Sequence, residues 1–182
     1  PSMAPSAEVY FATRLQSKEI WPIWQYLEDY DEATLFTVIE ILYDHIGIYN
    51  YETDEFESEL PKREFSEQIN NILRAYDKGY YLEPTNGFIM RIPNGALCEQ
   101  LKYDGFDLPG SIYEQLATAT EMYYRFDANQ EQKKKAINIL ADILENEREE
   151  VKELLNAEYE IPKNDHDKLI FGIVNGFNIR HN

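Results

Sequence analysis

The residue pattern points to a mainly α-helical chain, a bundle-like body of helices packed on helices with one small β-hairpin lobe. Three observations carry that reading. Apolar residues recur at spacings of three and four along several segments, which is the period of an amphipathic helix. Asp and Asn residues suited to N-capping stand just ahead of those segments. One tyrosine-rich segment, Tyr80–Pro93, departs from the helical period and surrounds Asn86-Gly87, the dipeptide favoured in tight hairpin turns.

In chain order, residues 1–16 read as an N-terminal arm and residues 17–182 as a single helical domain. Trp21–Asp29 reads as a short aromatic helix carrying Trp21, Trp24 and Tyr26. Pro22 sets its start, because a first turn has no use for the N–H that proline lacks. Asp31 caps a helix over Glu32–Ile46. Its positions Leu35, Ile39, Leu42 and Ile46 form one stripe, and Phe36, Val38, Ile41 and Tyr43 form a second flank. A helix apolar over that much of its surface belongs at the centre of a core. Gly47 ends it. Residues 49–63, acidic and rich in tyrosine, read as an exposed loop. Phe65–Tyr76 follows as a helix through Phe65, Ile69, Ile72 and Leu73, with Gly79 as its stop. The hairpin occupies about 80–92, and Pro84 places its strand at an edge.

Ala96–Leu101 reads as a short helix. Ser111 caps Ile112–Phe126, whose stripe is Ile112, Leu116, Ala119 and Tyr123. Asp127 and Asn129 both qualify as the cap of a long helix over Gln130–Asn156. Its stripe of Ile137, Leu140, Leu144, Val151 and Leu155 is interrupted at Glu147. Ile161-Pro162 breaks the pattern, and Asn164 or Asp165 caps a last helix with Leu169, Ile170, Ile173, Val174 and Phe177.

Composition narrows the function classes. The chain has 182 residues, of which 43% are apolar, enough for a packed core. Its 17 basic and 34 acidic side chains leave a net charge of −17, unfavourable for general nucleic-acid binding or for an anionic membrane surface. A single cysteine, Cys98, excludes an internal disulfide framework and a cysteine zinc cluster. No apolar run approaches the ~20 residues that span a bilayer, and no signal-peptide pattern opens the chain. The expected setting is the reducing cytoplasm.

Chemical motifs are sparse. His45, His166 and His181 stand at no metal-binding spacing, so no metal is expected. His45, near a helix C-terminus, reads as a structural residue. The eight glycines are scattered singly and supply no phosphate cradle, so no nucleotide cofactor is expected. Cys98 reads as a small core residue, since Glu99 opposes thiolate formation. Acidic pairs are too abundant to single out a catalytic one. The 14 tyrosines cluster at Tyr49–Tyr51, Tyr80–Tyr81 and Tyr123–Tyr124. Ordinary partial burial is one account of them. The other is an acidic, aromatic surface suited to a basic protein partner.

The most distinctive stretch is Asp167-Lys-Leu-Ile-Phe-Gly-Ile-Val-Asn-Gly-Phe-Asn-Ile-Arg-His-Asn182. It resembles the pattern LFxIxNxFxIRHxN of uncharacterised bacterial proteins. Those are similar to the HEPN superfamily and to abortive-infection proteins of the AbiJ kind. Thr34–His45, Arg63–Gly87 and Lys135–Leu155 also resemble segments of those proteins, so the likeness covers most of residues 32–182. The resemblance implies a helical fold, a role in phage defence or a toxin system, and a homodimer whose C-terminal segments meet. It also implies RNA cleavage without metal or cofactor, with Asn175, Arg180 and His181 as the positions carried over. An imidazole can exchange the 2′-hydroxyl proton, and a guanidinium can steady the charge on a pentavalent phosphorus. The usual HEPN signature spaces its Arg and His by four to six residues, whereas Arg180 and His181 are adjacent. Adjacent side chains on a helix point about 100° apart, so convergence on one phosphate needs a turn or a second subunit. Similar proteins continue with another aromatic helix, which implies that this chain is a fragment.

Two rival readings need no nuclease. One is a noncatalytic interaction module whose acidic, tyrosine-rich face binds a basic protein. The other is a DNA mimic whose carboxylates, spaced like duplex phosphates, block a DNA-binding enzyme. A nuclease needs a local basic groove, to which Arg180, His181 and Lys133–Lys135 are the evident contributors.

Overall fold

The computed structural model describes residues 6–93, 109–158 and 172, the side chains of 154–158 excepted. These residues are mainly α-helical, with two small two-stranded sheets, in keeping with the helical periodicity. The chain divides into two compact units, Pro1–Met90 and Arg91–Asn182.

The first unit opens with helix α1 (Ala7–Leu15), where the sequence suggests only a loose arm. Phe11 ties this helix to the core. That ring is only 4% exposed and stacks on Trp21 at 5.5 Å. It joins Ile20, Val38 and Ile41 in one apolar cluster. The Ser6 side chain caps the helix by accepting the Val9 N–H. Helix α2 (Ile23–Tyr26) follows, with Pro22 at its N-cap, and runs into a 3-10 turn over Leu27–Asp29.

Helix α3 (Glu32–His45) is the centre of this unit. Asp31 caps it, accepting the Thr34 N–H at 2.7 Å. Phe36, Val38, Ile39, Ile41 and Tyr43 are all buried. Burying a phenylalanine such as Phe36 contributes about 2–3 kcal/mol. The helix ends through Ile46 in extended backbone, so Gly47 does not close it by a left-handed turn.

Two strands follow where an exposed loop is expected. β1 (Ile48–Asn50) and β2 (Glu55–Glu57) pair antiparallel, with Ile48 opposite Glu57, Tyr49 opposite Phe56 and Asn50 opposite Glu55. Helix α4 (Glu59–Tyr76) therefore starts well before Phe65, with Pro61 tolerated in its first turn. It closes through Asp77, left-handed at φ 54°, ahead of Gly79 at φ 72°. Ile72 lies off the buried face and is exposed, while Ser66 and Leu73 point inward.

The expected hairpin is present as β3 (Tyr80–Leu82) and β4 (Ile89–Arg91). Glu83 donates its N–H to Phe88 and accepts that of Gly87, both at 2.9 Å. The Glu83 carboxylate also accepts the N–H groups of Thr85 and Asn86. Leu82 and Ile89 are wholly buried. Side chains from the helices cover both outer edges of this ribbon. Asn70 of α4 pairs with the Leu82 backbone, and Glu40 of α3 accepts the Ile89 N–H at 2.8 Å.

The second unit contains α5 (Gly110–Tyr124), α6 (Gln130–Asn146) and α7 (Arg148–Glu158). Ser111 is not the cap of α5. Pro109 holds that position, and its carbonyl accepts the N–H groups of Ile112 and Tyr113. Asn129, not Asp127, caps α6, in a reciprocal box with Gln132 at 2.8 and 2.9 Å. The long helix expected over 130–156 breaks at Glu147, whose φ −94° and ψ 13° leave the helical range. α5 and α6 pack as a helical hairpin. The buried residues here, Ala119, Ala136 and Ala141, are small enough for two helix backbones to approach closely.

Candidate functional site

The strongest surface feature of the first unit is the β1–β2 ribbon. Residues 48–59 contain five carboxylates (Glu52, Asp54, Glu55, Glu57 and Glu59) and no lysine or arginine. Among them stand four apolar side chains open to solvent. Tyr51 is 89% exposed, Ile48 65%, Phe56 59% and Tyr49 43%. Strand alternation puts Tyr49 and Phe56 on one face and Ile48, Asn50, Glu55 and Glu57 on the other.

Local chemistry fixes the ribbon's shape. A Cβ on Gly47 would strike the Phe56 ring and stand 2.9 Å from the Glu57 carbonyl, so only glycine lets β2 come this close. Asp54 turns the chain at φ 58°. The Asn50 side chain accepts the Glu52 N–H at 3.0 Å and donates to a Glu57 carboxylate oxygen at 2.7 Å. The Tyr49 hydroxyl donates to Asp54, and that bond to a carboxylate pushes the tyrosine pKa above its ordinary value. The Tyr49 and Tyr51 rings meet edge to face at 5.0 Å. The outcome is a preformed aromatic pair beside the Asp54 carboxylate, on a ribbon whose other face carries Glu55 and Glu57. Such a surface suits cations with apolar stems, the chemistry of lysine and arginine.

The other candidate positions divide clearly. Asn175, Arg180 and His181 lie outside the described residues, as do Cys98, His166, the helix expected over Ala96–Leu101 and, apart from Gly172, the helix expected after Asp165. His45 serves structure. Its Nδ1–H donates to the Ile41 carbonyl at 2.8 Å, and its ring meets Tyr10 at 4.8 Å. Of the basic run, Lys133 lies over the Tyr123 ring and Lys135 pairs with Glu131 at 3.4 Å. Ion pairs also form at Glu145–Arg148 and Glu149–Lys152. A shallow groove of about 350 Å³ between α5 and α6 is lined by Ser111, Glu114, Gln115, Thr118, Ile139 and Asp142. Among the described residues no group of three His, Cys, Asp or Glu side chains could hold a metal ion. No described helix is long and apolar enough to cross a membrane.

The Tyr49–Tyr51 cluster is legible in the sequence; the strands that present it are not. The available signal was Gly47, read as a helix stop when its role is to admit Phe56. No family model, no curated protein and no solved structure matches the chain.

Proposed function

We propose that this chain belongs to a HEPN-like phage-defence or toxin system and works there as a protein-interaction module, its β1–β2 ribbon receiving a basic protein partner. The family part rests on the likeness of Asp167–Asn182 to the abortive-infection motif. The interaction part rests on one observation, the exposure of Tyr51 and Phe56 within a segment of five carboxylates and no basic residue. Tyrosine and phenylalanine are enriched where proteins meet, because a rigid ring buries much area at small entropic cost. The carboxylates steer and select a partner of opposite charge. Fluorescence anisotropy with a labelled lysine- and arginine-rich peptide tests this. Tyr51→Ser/Phe56→Ser is expected to weaken binding by about fivefold or more, the loss typical of interface aromatics. Binding of equal strength by both proteins, or none by the wild type, ends the reading.

A second reading is RNA cleavage by Arg180 and His181 with Asn175 positioning them, carried by the same C-terminal motif. His181 would take the 2′-hydroxyl proton as the 2′-oxygen attacks phosphorus, the P–O5′ bond would break with the 5′-oxygen leaving protonated from solvent, and Arg180 would face the phosphate oxygens of the 2′,3′-cyclic product as it forms. Transfer RNA incubated in EDTA with wild type and with Arg180→Ala/His181→Ala decides it. Intact RNA from a folded wild type removes this reading.

A further inference from the structure

We propose that the partner adds to the β1–β2 ribbon as a third strand: an extended segment bearing Lys or Arg at alternate positions, laid along the outer edge of β2. The inference rests on reading the ribbon as the partner surface, and it names the mode of recognition. Its basis is a contrast between the two ribbons of the first unit. In β3–β4 the outer edges are occupied, by the Asn70 carboxamide on Leu82 and by the Glu40 carboxylate on the Ile89 N–H. In β1–β2 the strands pair with each other, and among the described residues no other strand or side chain bonds to the outward backbone groups of β2. Open edges of this kind are templates for strand addition.

Charge selects the occupant. Glu55 and Glu57 project from one face of β2, and Glu59 opens α4 just beyond Ser58. A second copy of this chain would bring like charges side by side, which is destabilising for directly opposed pairs. A strand carrying Lys or Arg opposite Glu55 and Glu57 gains attraction instead. The same alternation places its intervening apolar side chains beside Phe56 on the other face. The open edge is thus protected against self-pairing and receptive to a basic strand.

The test changes the probe and leaves the protein intact. A synthetic peptide of alternating Lys and Val is compared with the same peptide N-methylated at alternate residues, in both phases. Charge and side chains are kept while the N–H donors of the methylated residues are removed. Strand addition requires at least one N-methylated form to lose about tenfold in affinity, the equivalent of one or two net hydrogen bonds. Glu55→Gln/Glu57→Gln should weaken the unmodified peptide and flatten its salt dependence. Equal binding of all the peptides overturns strand addition and leaves the acidic partner surface standing. Failure of every peptide overturns both. Tight binding unaffected by Glu55→Gln/Glu57→Gln places the basic segment elsewhere and also overturns the inference, as does a chain that dimerises through β2.

Discussion

The carboxamide of Asn70 holds the backbone of Leu82 by both its groups. Its Nδ2–H donates to the Leu82 carbonyl at 2.9 Å, and its Oδ1 accepts the Leu82 N–H at 2.7 Å. A side chain on a helix thereby replaces the neighbouring strand that a two-stranded ribbon lacks. Leu82 is fully buried, so its peptide groups have no water to turn to.

Asn70→Ala should therefore cost about 2–3 kcal/mol, more than a typical hydrogen-bond deletion, because two buried backbone groups lose their partner together. Asn70→Asp is the sharper variant. It keeps the shape and the acceptor but sets an oxygen against the Leu82 carbonyl, so it should destabilise at least as much near neutral pH. Urea unfolding followed by tryptophan fluorescence measures both. The chain's two tryptophans, Trp21 and Trp24, lie in the first unit and report on it.

Two glycines allow a clean comparison. Gly87 has φ 74° and the Tyr43 ring against its α-carbon, while Gly79 has φ 72° and open space around it. Gly79→Ala should lose about 1–2 kcal/mol, the backbone penalty alone. Gly87→Ala must also push Tyr43 aside, and the Tyr43 hydroxyl is committed to the Pro84 carbonyl at 2.5 Å. Its cost should exceed that of Gly79→Ala by about 1–3 kcal/mol, the usual range for overpacking. Equal urea midpoints for the two variants would show that Tyr43 yields freely.

The glycines also show what could be read from residues alone. Asn86-Gly87 announced its hairpin, and Asp31 with the stripe behind it announced α3, because both signals are local. Gly47 is ambiguous by nature: a glycine after a helix closes it or admits a neighbour, and only the fold says that Phe56 fills the space. β1 and β2 are not legible because each is only three residues long and almost wholly exposed, so the alternation of Glu55-Phe56-Glu57 is too short to stand out from a loop. Ile72 was placed on the buried face of α4 by residue type, yet Asn70 and Ser66 take inward positions there. Of the candidate site, the tyrosine cluster was legible and its presentation on a ribbon was not. Arg180 and His181 entered through motif resemblance and lie beyond the described residues.

Helix α1 offers a third prediction, directed at the arm that residues 1–16 were expected to form. Phe11→Ala removes a ring that is 4% exposed and stacked on Trp21. Large-to-small changes of this kind cost about 3–5 kcal/mol. Loss of the stacked ring should also alter the native fluorescence of Trp21. A loose arm would lose nothing, so an unchanged urea midpoint would detach α1 from the core.

Glu32 carries the last prediction. From the first turn of α3 its carboxylate accepts the Tyr76 hydroxyl at 2.7 Å, the Lys78 ammonium at 3.0 Å and the Tyr80 hydroxyl at 3.1 Å. The Tyr76 and Lys78 bonds are the main reasons its pKa falls below the ordinary 4.5, with Tyr80 adding to them and partial burial opposing. A carboxyl whose folded pKa lies below its unfolded one binds fewer protons in the native state. Its contribution is therefore complete above the unfolded value and fades as pH drops through the folded one. Glu32→Gln keeps the size of the side chain but removes the charge, and at neutral pH it should cost about 1 kcal/mol, discounted because the carboxylate is 37% exposed. Below the unfolded value, wild-type Glu32 is itself increasingly neutral, so the two proteins should converge in stability as pH falls. Paired urea curves from neutral pH into the acid range measure this. A wild-type advantage that persists undiminished in acid would show that the hydrogen bonds to Tyr76 and Tyr80 act without regard to the charge they meet.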